Sequence, residues 1–186
     1  DQGFRLVERP GLAVHFLALR ISGGPENPLS DPRVRRALRA AIDYPKLVSV
    51  VPAEGAFPAS QLVPPAIVGF NPDLPVPAFV PGEARRLLEK AGFRQKEPLR
   101  FLTTNGGGPL LKELSRAFGV AGIAVREESV SAEEYERRSV ACDADLFFSG
   151  WICSTGDAGE LFEGNFYGKA SEGHPCGYSS DEMDSA

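Results

Sequence analysis

Apolar and polar residues recur along the first half of this chain with the period of a helix. The apolar positions Val34, Ala37, Leu38, Ala41 and Ile42 share one helical face. Asp31 precedes this stripe as a good N-cap, and Pro32 suits the first helical position, where a missing N–H costs nothing. Apolar residues after Asp43 indicate a second, short helix. The pattern therefore predicts two consecutive helices.

A proline-rich arm interrupts the helical pattern between residues 52 and 81. It holds half of the sixteen prolines of the chain, so it is neither regular helix nor central strand. A third helix follows, and its apolar face consists of Ala84, Leu87, Leu88 and Ala91. Gly92 is suited to the left-handed cap at its end. Residues 30–93 are thus predicted to be helices joined by an extended, stiff arm.

Strand patterns occur before residue 30 and again after Gly92. Residues 4–9 alternate and predict an edge strand, and residues 12–21 are apolar on both faces, as in a strand within a sheet or crossing between lobes. After Gly92, strands are predicted at 99–103, 123–130 and 145–151, with helices at 111–121 and from Ser131 to about Ala141. This βαβαβ order predicts a parallel sheet with right-handed crossovers.

The carboxyl ends of parallel strands are the usual place for ligands in such sheets. Here these ends are residues 103–108 and 151–157. The candidate ligand-binding residues are Thr104, Asn105, Trp151, Ser154, Thr155 and Asp157. The glycines after Asn105 lack the spacing of a phosphate-binding loop, and a flexible turn is the simpler explanation. Trp151, the only Trp, offers a rigid apolar face and one donor to a cleft, or else packs in the core.

Length, net charge, apolar run length and cysteine spacing limit the classes of function that this chain can have. A chain of 186 residues is one domain or one lobe, and a net charge of −5 argues against nucleic acid as a partner. The longest apolar run, residues 11–19, is too short to span a membrane. The three cysteines lack the spacing of a zinc site. They either remain free thiols, or Cys153 pairs with Cys176 outside the cytoplasm. No metal or cofactor is predicted.

Several motifs in this order resemble one family, the oligopeptide- and dipeptide-type solute-binding proteins of bacterial ABC importers (extracellular solute-binding family 5). They are Asp31-Pro32-Arg33-Val34-Arg35, Pro64-Pro65, Gly69-Phe70-Asn71-Pro72, Glu83-Ala84 with Leu87-Leu88 and Ala91-Gly92, Gly150-Trp151, and Gly177-Tyr178. Val80 departs from the family, which usually has a helix-capping Asp there. Both ends of the sequence look cut, so we expect a piece of a longer protein.

The resemblance implies an α/β fold, one lobe of a type II-like periplasmic binding protein with a parallel or mixed sheet flanked by helices. Residues 1–29 would be interlobe or edge strands and a loop, 30–93 the helices with the arm, and 94–186 the βαβαβ sheet with the ligand-side loops. The implied function is capture of a peptide-like or other polar solute in an interlobe cleft for delivery to a membrane permease. The implied protein is monomeric, periplasmic or extracellular, and membrane-associated as a lipoprotein.

Ser154 changes the expected ligand. Peptide-binding members of the family carry an Asp three residues after the Trp, which pairs with the peptide's ammonium, and this position is Ser154 here. Burying a cation without a carboxylate is costly, so a blocked peptide, a sugar-like ligand or another polar solute is expected. Asp157 or Glu160 would restore cation binding if the loop brought either one close.

Two other functions stay open. The first is the ligand-sensing domain of a cytoplasmic transcription regulator of the same fold, which an upstream winged-helix domain would identify. The second is a hydrolytic enzyme, although the sequence has neither a Gly-x-Ser-x-Gly elbow nor a His-Glu-x-x-His motif. No catalytic residue is predicted.

Overall fold

A computed structural model describes residues 3, 7, 9, 11–51, 55–104, 106–166, 176, 178 and 180–184. The strands are β1 (Ala13–Leu19), β2 (Leu99–Thr104), β3 (Val125–Val130) and β4 (Leu146–Ile152). The helices are α1 (Pro32–Ala41), α2 (Tyr44–Ser49), α3 (Pro81–Lys90), α4 (Gly108–Ala121), α5 (Ala132–Val140), α6 (Gly159–Asn165) and α7 (Asp181–Asp184). Most of the strand predicted over residues 4–9 lies outside the described residues.

The four strands form one mixed sheet in the order β1-β4-β2-β3. β2 is parallel to both β3 and β4, whereas β1 is antiparallel to β4 and lies at the edge. The predicted α/β class and the parallel βαβαβ arrangement are confirmed. Because β2 and β4 run the same way, their carboxyl ends emerge on the same side of the sheet.

Local capping signals place the helices where the sequence predicts them. The Asp31 carboxylate accepts a hydrogen bond from the N–H of Arg33 at 2.8 Å, and the Ser131 hydroxyl accepts one from Glu134 at 3.2 Å. Gly122 ends α4 in the left-handed conformation, with φ of 96°. Val80 forms no side-chain cap at the start of α3, as its apolar side chain requires.

The main hydrophobic core lies between one face of the sheet and the helices α1, α3 and α4. Its largest fully buried side chains are Leu29, Val34, Phe101, Phe118, Ile123 and Leu146. Most of them belong to the apolar stripes of the predicted helices or to the predicted strands, whereas Leu29 lies in the short turn before α1. The core holds α4 firmly behind β2, so the loop that joins them has a fixed place at the carboxyl end of the strand.

The other face of the sheet carries a smaller core, which is closed by a disulfide. Leu102 and Phe147 pack there against the turn after α5, and Cys142 in that turn is bonded to Cys176. The predicted alternatives for the cysteines are therefore wrong: Cys176 pairs with Cys142 rather than Cys153, and Cys153 alone is a free, buried thiol. The sequence places Cys142 and Cys176 far apart, and only the folded chain brings them together.

The arm from residue 55 to residue 80 is irregular, as its prolines require. Val63 and Ile67 anchor it to a third apolar cluster with Cys153, Ala158 and Leu161. A single parallel bridge joins Val68 to Asp157, so the arm supports the loop that follows β4. Within the described part of the chain, the helices are too short or too polar to cross a membrane.

Candidate functional site

The sheet opens between β2 and β4 near their carboxyl ends. These strands pair only at Phe101 with Leu146 and at Leu102 with Phe147. β2 stays paired with β3 as far as Thr104, and β4 stays paired with β1 as far as Ile152. Each strand thus follows its outer neighbour, and a gap forms between them on the side where ligands bind in sheets of this kind.

A cavity of about 290 Å³ lies in this gap. Its apolar wall consists of Phe101, Leu110, Leu111 and Phe148, and its polar lining includes Thr103, Thr104 and Tyr135. The Tyr135 hydroxyl donates a hydrogen bond to the Phe148 carbonyl, which fixes α5 against β4. The outer end of Phe148 is stacked on the His15 ring of β1, with ring centroids 5.7 Å apart. The cavity is suited to an apolar group rather than a charged one.

Two N–H groups of the glycine turn at the mouth of the cavity donate hydrogen bonds to side chains of β3. The Glu127 carboxylate on β3 accepts hydrogen bonds from the N–H of Gly107 at 2.5 Å and from the Thr103 hydroxyl at 2.7 Å. The N–H of Gly106 donates to the Ser129 hydroxyl at 2.9 Å. A protein carboxylate therefore occupies the place that an anion would need. Asn105, a predicted ligand-binding residue, lies outside the described residues.

Among the described residues, no strand pairs with the edge of β4 along the same gap beyond Phe147. The N–H of Cys153 donates to the Leu12 carbonyl, so odd-numbered residues of β4 direct their backbone groups toward β1. Even-numbered residues direct theirs toward β2, which no longer pairs with β4 after Phe147. Gly150 and Ile152 thus present N–H and C=O groups to the gap. An extended chain can add to such an edge as an extra strand.

Trp151 lies on the opposite face from the cavity and next to the arm. It is half-buried and packs against the cluster that contains Val63, Ile67 and Leu161. Core packing, the alternative to contact with a ligand, thus accounts for the buried part of the Trp151 ring. The exposed remainder of the ring stays available, and a direct ligand contact by Trp151 stays a prediction.

The loop after β4 is built around the Glu160 carboxylate. One oxygen, Oε2, accepts hydrogen bonds from the backbone N–H groups of Ser154 at 3.1 Å and Thr155 at 3.2 Å. It also accepts from the Ser154 hydroxyl at 3.0 Å and the Thr155 hydroxyl at 3.1 Å. These donors, led by the Ser154 N–H, lower the pKa of the Glu160 carboxyl. Glu160 is therefore charged at neutral pH and holds the loop in one shape.

The Asp157 side chain stabilises the end of this loop, where α6 begins. Its Oδ1 accepts a hydrogen bond from the N–H of Gly159 at 2.7 Å, at the start of α6. Its neighbours Gly156 and Ala158 are hydrogen-bonded through their backbones to Val68 of the arm. Asp157 is exposed, but its carboxylate is already engaged with the helix start. It is thus less free to meet a ligand than the sequence pattern indicates.

The predicted site residues fall into two groups. Thr104 lines the cavity, whereas Trp151 lies near the end of β4, and Ser154, Thr155 and Asp157 follow in the loop after it. Phe148, Tyr135 and Glu127 were not predicted. The sequence patterns around these three residues are those of any strand or helix, so nothing in the sequence distinguishes them as site residues. Glu160 was named as an alternative charge, but α6, which carries it, was not predicted.

Comparison with known proteins agrees with this architecture. The profile described as bacterial extracellular solute-binding proteins, family 5 Middle, matches residues 1–173. The dipeptide-binding protein of Escherichia coli (strain K12) is 27% identical over 180 residues, which cover 92% of this chain and 33% of that protein. The glutathione-binding protein GsiB of the same strain is 28% identical over 170 residues, which cover 85% of this chain and 32% of GsiB.

A solved structure shares the fold at lower identity. The periplasmic binding protein DppA from Helicobacter pylori, in complex with peptide STSA, superposes with a TM-score of 0.81 at 22% identity. The match covers 94% of this chain and 35% of DppA. The chain thus spans about a third of the length of the proteins it matches. With the profile match over nearly its whole length, the chain belongs to the bacterial extracellular solute-binding proteins of family 5.

Proposed function

We propose that this chain is the part of an ABC importer's solute-binding protein that holds a short peptide or peptide-like solute. The observation that carries the proposal is the free edge of β4 beside an apolar cavity. Backbone groups of Gly150 and Ile152 can pair with a peptide main chain, which supplies affinity that does not depend on sequence. The cavity beside Phe148 can take one apolar side chain of the same ligand.

The dimensions suit a ligand of a few residues. An extended strand rises about 3.3 Å per residue, so roughly three peptide residues cover the edge from Gly150 to Ile152. The relatives point to the same class, because one is named for dipeptides and another for glutathione. Both are binding proteins, which supports a role in capture rather than catalysis.

The rest of the binding site would come from parts of the protein beyond this chain. This chain would form one wall of a cleft, and closure of a second lobe over the ligand would exclude water from the edge hydrogen bonds. The closed protein would then deliver its ligand to a membrane permease. Such capture takes place in the periplasm or outside the cell, which agrees with the disulfide between Cys142 and Cys176.

Calorimetric titration of the full-length protein tests this proposal. The ligands are a tripeptide with a central leucine, glutathione and a disaccharide of similar size. We expect micromolar or tighter binding of at least one of the peptides and no heat with the disaccharide. The reverse result, binding of the sugar without binding of any peptide, would contradict a peptide-type site.

A further inference from the structure

The charged residues of this chain are distributed unevenly. The helices α1 and α3, together with the cap residue Asp31, contain seven Arg or Lys and three Asp or Glu. From Phe101 to the end of the sequence there are six Arg or Lys and fifteen Asp or Glu. The net charge of −5 thus combines a basic pair of helices with a strongly acidic second half of the chain.

The helices α1 and α3 lie side by side and run in opposite directions. Near the start of α1, the Arg33 guanidinium donates a hydrogen bond to the Lys90 carbonyl at the end of α3, at 2.7 Å. At the other end of the pair, the Val80 N–H donates to the Ala40 carbonyl at 2.9 Å. Both apolar stripes face the main core. The two helices therefore share one outer side, directed away from the sheet.

This outer side carries positive charge that the described residues do not neutralise. Two of its arginines, one on each helix, already form ion pairs with carboxylates at the starts of their own helices. Arg36 and Arg39 are exposed on α1, and no hydrogen bond or ion pair joins either side chain to another described residue. These two arginines are thus available to an external anionic partner.

Exposed apolar side chains of the arm lie next to these arginines. Val76, Phe79 and Val80 are 40%, 45% and 44% exposed. The hydrogen bond from Val80 to Ala40 brings this segment to the end of α1, one helical turn after Arg36. A single exposed apolar residue is ordinary, but three within five residues beside unpaired cations form a mixed basic and apolar surface.

A bilayer that contains anionic lipids matches both properties of this surface. Arginines attract the lipid headgroups, and neighbouring aromatic and aliphatic side chains enter the boundary between headgroups and acyl chains. A soluble anion would satisfy the arginines but would leave the apolar side chains in water. The acidic second half of the chain is repelled by the same lipids, so the charge distribution turns α1 and α3 toward the bilayer.

We propose that the outer side of α1 and α3, with residues 76–80 of the arm, is a docking surface for an anionic lipid bilayer. This inference goes beyond the proposed capture of a peptide, because none of these residues lines the cavity between β2 and β4. Docking there would hold the binding protein at the membrane while the peptide site stays on the sheet.

The test is sedimentation of the full-length protein with vesicles of phosphatidylcholine, with and without added phosphatidylglycerol. We expect binding to the anionic vesicles only, and loss of binding at high salt, where charges are screened. The double variant R36E/R39E should bind anionic vesicles at least about twentyfold more weakly, since each basic side chain near such a surface contributes about fivefold. Phe79→Ser should weaken binding severalfold.

The matched control is R126E/R137E. It makes the same change in charge at exposed arginines of β3 and α5, outside the docking surface, and should leave vesicle binding nearly unchanged. Equal losses in the two double variants would overturn the proposal, because they would indicate attraction by net charge alone. A wild type that binds both kinds of vesicle equally would also overturn it.

Two further outcomes would assign the surface to another partner. If wild type binds neither vesicle and R36E/R39E lowers the melting temperature, another part of the full-length protein covers the surface, and the proposal is overturned. It is also overturned if these arginines are needed only for binding to permease embedded in neutral lipid. Calorimetry with the tripeptide Ala-Leu-Ala tests the peptide function separately, and R36E/R39E should bind this peptide as wild type does.

Discussion

At the scale of single residues, the cavity between β2 and β4 explains how the site can favour one side chain over another. Leu110 and Phe148 line this cavity from different elements; Leu110 also packs, partly buried, against the main core, whereas Phe148 does not. A cavity with apolar walls stabilises an apolar side chain by the area it removes from water. Ligands with leucine-sized side chains are therefore expected to bind more tightly than glycine peptides.

Leu110→Trp should fill the cavity. We expect it to weaken binding of Ala-Leu-Ala by about 1.5–3 kcal/mol, the value of burying one large apolar side chain, with little effect on Gly-Gly-Gly. Lys112→Trp, on an exposed position of the same helix, is the control for the added ring. Calorimetry on both variants gives the comparison. Equal losses for the two peptides would show that the cavity does not hold the side chain.

Residue types alone could predict part of this site. Trp151 and Ser154 were named as candidates from the sequence because they lie at and after the end of a predicted strand, and their contact with a ligand stays a prediction. Phe148 was not, because an apolar residue in β4 looks the same whether it faces a core or a cavity. The role of Glu160 depends on four hydrogen bonds to a loop five or six residues away. These hydrogen bonds depend on how the chain turns between the loop and Glu160. Composition and residue spacing do not determine that turn.

At the scale of elements, the disulfide ties the distal segment to the sheet. Cys176 is bonded to Cys142 after α5, and its carbonyl also accepts hydrogen bonds from the N–H groups of Ile21 and Ser22 after β1. Residue 176 therefore joins two elements that the sequence separates widely. This attachment keeps α5, and with it Tyr135, against β4.

Removal of the disulfide should destabilise the protein. Cys142→Ser with Cys176→Ser is expected to lower the free energy of unfolding by about 2–5 kcal/mol, as for other native disulfides. Urea unfolding measures the change. Reductant should lower the stability of wild type to that of the double variant and should leave the double variant unchanged. A wild type whose unfolding does not respond to reductant would show that the bond contributes little.

The elements themselves were largely predictable because their signals are local. Asp31 and Ser131 cap their helices through contacts two or three residues away, and Gly122 ends α4 by its own conformation. The parallel direction of β2, β3 and β4 followed from the general rules of βαβ units, whereas the order β1-β4-β2-β3 was not predicted. Cysteine pairing was not predictable, because it depends on the placement of segments far apart in sequence.

At the scale of the whole molecule, we propose that the chain forms one wall of a binding site. It spans about a third of the length of its relatives, and a cavity lies between β2 and β4 beside an edge of β4 that no described strand pairs with beyond Phe147. Strand edges are normally paired, covered or charged in folded proteins, since unpaired backbone groups attract other chains. No described strand covers the edge at Gly150 and Ile152, so we expect a partner there, and a peptide fits its chemistry.

Backbone hydrogen exchange tests this central claim most directly. In the full-length protein with a saturating peptide ligand, the N–H groups of Gly150 and Ile152 should exchange markedly more slowly than in the free protein. The N–H of Trp151 points toward β1 and serves as the internal control, with little change. Protection elsewhere, with Gly150 and Ile152 exchanging equally fast in both states, would contradict strand addition at β4.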